Sequence, residues 1–126
     1  MQKTENALIL RGMKERDELL NCLDLIQTII EKSGEVDEEG YVRLYHATNS
    51  ESAQNIIHEQ KMYGKENGIF FSTKADGQIL CYGNTIIEAL IPVEKLILDD
   101  EFEDELHFKV YSSTNKKVSL KLSLYE

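Results

Sequence analysis

The apolar residues of this chain change period at residues 35–40, and that change restricts it to a mixed architecture. Between residues 4 and 33, Leu19, Leu20, Leu23, Ile26, Ile29 and Ile30 recur mostly at three- and four-residue steps, the spacing that lines one face of a helix. Lys14, Glu15, Asp17 and Glu18 supply the polar face. Gly12 either splits the stretch or weakens it. Ser33-Gly34 provides a stop, with the glycine expected to take the left-handed conformation that ends a helix. EVDEEG at 35–40 has no period and reads as an acidic linker. The chain therefore divides into a helical lead, 1–34, and a body, 41–126. The lead is expected to pack on the body; its wide apolar face would also suit a dimer or a partner helix.

The body reads as α+β, with about five or six largely antiparallel strands. YVRLYHAT at 41–48 is strand-like, and the Thr48-Asn49-Ser50 cluster turns the chain and caps a helix running to about Gln60, with Ala53, Ile56 and Ile57 on one side. KMYGKENG at 61–68 reads as a loop and IFFST at 69–73 as a second strand. Residues 75–82 suit a short helix or turn. TIIEALI at 85–91 is a third strand, broken by Pro92, and VEKLILDD continues as a turn and another extended piece. LHFKVYS at 106–112 and VSLKLSLY at 118–125 both alternate clearly, and the polar STNKK between them suggests a hairpin with one wet face.

Composition narrows the function classes. The 126 residues suit one core, and 14 Lys+Arg against 23 Asp+Glu leave a net charge of −9. So acidic a surface repels phosphate backbones and disfavours nucleic-acid binding, while a basic protein partner or mimicry of nucleic acid fits it. No apolar run reaches the roughly twenty residues that span a bilayer, and charges interrupt the N-terminus too early for a signal peptide. Two cysteines, Cys22 and Cys81, lie far apart with no CxxC spacing, which argues for free thiols in a reduced, cytoplasmic protein and against a zinc site.

Few residues are placed to carry chemistry. The chain has no P-loop, no Rossmann turn, no HExxH and no GxSxG. Asp99, Asp100, Glu101, Glu103, Asp104 and Glu105 lack the spacing and turn glycine of a calcium loop and read as a solvated acidic run; no metal is expected. His58 falls inside the predicted helix and is expected at the surface. His107 lies opposite Leu106, Phe108 and Val110, either exposed or lining a cleft. His46 ends a strand at a turn, where mixed folds commonly place binding groups, although a histidine satisfied by nearby backbone is the commoner outcome there.

The order of these pieces resembles the ADP-ribosyltransferase fold over residues 41–125, and more narrowly the branch shared by diphtheria-type toxins and poly-ADP-ribose polymerases, with His, Tyr and Glu on three strands. That branch's H-G-T stands here as His46-Ala47-Thr48, and its G-[IV]-Y-F-[AS] as Gly68-Ile69-Phe70-Phe71-Ser72. Its later aromatic falls near Tyr82. Its strand-opening glutamate is matched by Glu105-Leu106-His107-Phe108-Lys109-Val110-Tyr111, with Glu103 as the fallback. Alanine replaces the motif glycine, and Phe70 keeps the tyrosine's ring but not its hydroxyl.

The resemblance implies a split, mostly antiparallel sheet with one or two short helices and a site for NAD as substrate. In it Phe70 and Tyr82 would stack on nicotinamide, the Ala47 backbone would hold its amide, and His46 would meet ribose hydroxyls. Thr48 would brace His46 or cap the turn, and Ser72 would complete the second motif. Glu105 would bind the ribose 2′-hydroxyl and stabilise an oxocarbenium-like transition state. The implied activity is ADP-ribose transfer to a protein, in an effector of phage or mobile-element type. The RNA 2′-phosphotransferases of related fold use basic residues on the phosphate, and this chain shows few there beyond Arg43. The alternative is a non-catalytic acidic binding or inhibitor protein that keeps the fold.

Overall fold

A computed structural model describes residues 2–63, 68–111, 117–119 and 121–125. The lead forms two helices, α1 (Gln2–Leu10) and α2 (Arg16–Glu31), broken at Gly12, whose φ of 108° suits glycine alone. The helix stop works differently from expectation. Ser33 takes the left-handed turn (φ 66°), while Gly34 is needed for space, because a Cβ there would lie 2.5 Å from Ile29 Cγ2. Both helices belong to the main core: Leu8, Ile26 and Ile29 are buried together with the sheet residues Val42, Leu44, Phe71 and Phe108.

The rest follows as β1 (Glu35–Val36), β2 (Tyr41–Thr48), α3 (Ser50–Glu59), β3 (Lys61–Tyr63), β4 (Gly68–Ser72), β5 (Thr85–Pro92), β6 (Leu96–Glu101), β7 (Leu106–Tyr111), β8 (Lys117–Ser119) and β9 (Lys121–Leu124). Turns of 3-10 helix occupy Gln78–Tyr82 and Val93–Lys95. The fold is α+β, and its seven-stranded sheet runs β6-β7-β4-β2-β5-β9 with β1 also on β2. Every described pair is antiparallel.

Three further expectations are corrected. Part of the acidic linker is strand, because Glu35 and Val36 pair with Arg43 and Val42. The segment read as a loop from Lys61 opens as β3, which pairs with β8 in a separate two-stranded sheet; the rest of that glycine loop, 64–67, lies outside the described residues. The expected hairpin of 106–112 with 118–125 does not form: β7 lies between β4 and β6, and β9 pairs with β5. Alternation fixes which face of a strand is buried but carries no information about its partner. The turn expected at 113–117 is largely outside the described residues.

The sheet is split. β2 pairs with β5 along its whole length, from Tyr41↔Pro92 to Thr48↔Thr85, and β4 pairs with β7 from Gly68↔Tyr111 to Ser72↔His107. Among the described residues the backbones of the two halves pair only at Tyr45↔Ser72. Beyond that bridge β2 and β4 diverge, because β2 leads directly into α3. Asn49 caps that helix by accepting the Ser52 N–H at 2.8 Å, and Gln60 ends it with φ 54°. His58 is exposed on it, as the sequence suggests.

A bidentate ion pair ties the lead to the body. Arg11 meets Glu94 at 2.7 and 2.9 Å, donates to the Glu39 carbonyl, and lies over the Tyr41 ring. Burial opposes ionisation of Glu94, but the hydrogen bond and charge of Arg11 outweigh it and hold the carboxyl below its usual 4.5. A carboxyl depressed on folding stabilises the fold fully above its unfolded value, and that contribution is lost as pH falls through the folded value. The acid limb of unfolding, below about pH 4.5, should therefore be shallower in Glu94→Gln than in the parent; denaturant titrations at stepped pH measure it, and parallel curves would remove Glu94 from the account.

Candidate functional site

A groove of about 900 Å³ opens where the sheet splits. On the β2 side it is lined by His46, Ala47 and Thr48, and on the β4 side by Gly68, Ile69, Phe70 and Phe71. The 3-10 turn adds Tyr82, and β7 adds His107.

His46 spans the mouth of the split: its Nδ1 lies 2.8 Å from the Phe70 carbonyl. A carbonyl only accepts, so Nδ1 carries the proton. The ring also packs against Phe71, with centroids 5.8 Å apart.

Ala47 is oriented by the ladder. Its opposite residue, Ile86, directs its carbonyl toward β9, where Tyr125 donates to it at 2.9 Å. In an antiparallel ladder both backbone groups of a residue point to the same edge, and such edges alternate. Ala47 therefore turns its N–H and C=O away from β5, toward the split, as Tyr45 does where it meets Ser72. Its methyl faces a small second core with Ile79 and Ile86 beneath the 3-10 turn.

The aromatic residues are accessible, Phe70 at 37% and Tyr82 at 76% exposure, and share the groove without ring contact between them. Gly83 follows Tyr82 at a close approach, where a Cβ would lie 2.4 Å from the Thr48 carbonyl oxygen. Its lack of a side chain lets the 3-10 turn close onto the end of β2.

Ser72 and Glu105 do not line the groove. Ser72 is fully buried, and its Oγ accepts the Lys74 N–H at 3.0 Å. Glu105 immediately precedes β7 and is only 3% exposed. Its Oε1 lies 2.6 Å from His107 Nε2 and accepts the Gln78 N–H at 3.3 Å. Its Oε2 lies against Gly77, where a Cβ would sit 2.1 Å away. Glu103 is exposed outside the groove. Glu105 reaches the groove only through His107, whose ring lies on the same face of the sheet as Phe70, as the Ser72↔His107 register requires.

The opposite wall comes from α3. Ser52, Asn55, Ile56 and Glu59 line it, with Lys61 and Asp99 further along. The three- and four-residue spacing of the α3 group was legible in the sequence as one helix face. What it faced was not. Among the described residues no cluster of three or more His, Cys, Asp or Glu is arranged to hold a metal ion, and no helix is long and apolar enough to cross a membrane.

Comparisons with protein-family models, with curated proteins and with solved structures found no match.

Proposed function

We propose that the groove binds NAD and that the protein is an ADP-ribosyltransferase-like domain acting on a protein acceptor. The observation that carries this reading is the direction of the Ala47 backbone, whose N–H and C=O turn into a split lined by His46, Phe70 and Tyr82. A primary amide on a flat ring is matched by one donor and one acceptor side by side, with accessible aromatic faces for the ring. His46, fixed at Nδ1, stands next to that pair for a ribose hydroxyl.

NAD at a hundred times its dissociation constant should stabilise the fold by about 2.7 kcal/mol, read as a rise in melting temperature. Nicotinamide should compete. Absence of any shift at millimolar NAD would end this reading.

One observation favours a second reading, a binding protein without transferase activity: the Glu105 carboxylate is enclosed and already engaged by His107 and Gln78. In that case NAD, or a partner's side chains, would occupy the groove with no turnover. Incubation with labelled NAD and a cell lysate separates the two, since only the transferase leaves label on protein.

A further inference from the structure

Glu105 sits where the resemblance expects a group that touches ribose, yet its position forbids that contact. Its side chain is closed in by the start of the 3-10 turn, with one oxygen on Gly77 and the other taken by Gln78 and His107. The side chain that reaches the groove from this strand is His107. We infer that His107 is the proton acceptor of the groove and that Glu105 is the positioning residue that fixes its ring. The inference rests on the NAD-binding reading of the same groove.

The chemistry follows from the pair. An ionised carboxylate only accepts hydrogen bonds, so at 2.6 Å the proton lies on His107 Nε2. In the neutral ring Nδ1 then holds a lone pair, which the partner on Nε2 keeps in that tautomer. Nδ1 has no hydrogen-bond partner among the described residues. The ring is held against Phe102, centroids 4.9 Å apart, and its strand is paired on both sides. The Glu105 backbone is anchored too, its carbonyl accepting the Phe102 N–H at 2.9 Å. This is a base oriented by a buried carboxylate, the arrangement that serves proton transfer from a hydroxyl.

A base of this kind defines the acceptor class as a hydroxyl group, a serine, threonine or tyrosine side chain, with water as the competing acceptor. The acceptor oxygen bonds to C1′ of the nicotinamide ribose, and its proton passes to His107 Nδ1. The bond from C1′ to the nicotinamide nitrogen breaks, and its electron pair leaves on nicotinamide, converting the cationic ring to the neutral amide. A carboxylate acceptor would arrive already ionised and need no such base.

Water serves as the probe acceptor, so the test is nicotinamide release from NAD by the full chain. His107→Ala should lower kcat roughly 100-fold or more with KM little changed, and added imidazole should restore part of the rate. Glu105→Gln should lower kcat less and shift the His107 tautomer, followed by nitrogen-15 NMR. In the unmutated protein the NMR must show the proton on Nε2; a proton on Nδ1 overturns the inference whether or not the variants fold. So does a His107→Ala protein that turns over at the parent rate. A parent that binds NAD but releases no nicotinamide overturns it while leaving the binding reading intact. A parent that does not bind NAD removes both.

Discussion

Phe108→Ala should cost about 3–5 kcal/mol of stability, because it removes a fully buried ring from the centre of one half of the sheet. Phe108 lies opposite Phe71, and both belong to the core shared with the helices, while Leu98 across from it on the edge strand is exposed. β7 is held between β4 and β6 along most of its length, so the cavity has little room to collapse. A domain of this size has roughly 5–15 kcal/mol in total, and the loss should lower the melting temperature by roughly 10–25 °C. Calorimetry of the variant checks this. A drop of only a few degrees would mean that the β4–β7 half repacks easily and does not set the width of the groove.

Gly77→Ala should be nearly as damaging as loss of Glu105 itself, and for the same reason. The new methyl would lie 2.1 Å from Glu105 Oε2 and drive the carboxylate away from Gln78 and His107. The cost should be about 2–4 kcal/mol, between that of overpacking and that of stranding a buried charge. In a Glu105→Ala background the methyl has room, and the same substitution should cost less than about 1 kcal/mol. A double-mutant cycle by denaturant unfolding measures the coupling. Additive effects would show that Gly77 is required for backbone reasons and not for the carboxylate.

Much of the fold was legible because local periodicity reports directly on burial. Leu106, Phe108 and Val110 alternate and are buried, while His107 between them faces the other way. The α3 cap was legible because Asn49 bonds to an N–H only three residues on. The failures share one cause. Strands β1, β3 and β8 are two or three residues long, too short for any period, and exist because a partner strand supplies their hydrogen bonds, distant in sequence for β3 and β8 and across the turn at 37–40 for β1. The supposed hairpin failed for the same reason: two alternating strands close in sequence need not be neighbours in space.

The candidate site divides along the same line. His46, Ala47, Thr48, Phe70 and Tyr82 were singled out by residue type and order, and they lie along one groove. Ser72 and Glu105 were singled out in the same way and lie outside it, one beside the Lys74 amide and the other beneath the 3-10 turn. By itself the sequence determined the helices and the longer strands, which face of each is apolar, and the acidic character of the surface. Those properties depend on neighbours a few residues apart. Only the tertiary structure decided that β2 and β4 part after Tyr45, that Ala47 turns its backbone into the gap, and that His107 stands between Glu105 and the groove. Each of these depends on pairing across long stretches of chain and on the enclosed space left beside Gly77, which no local pattern encodes.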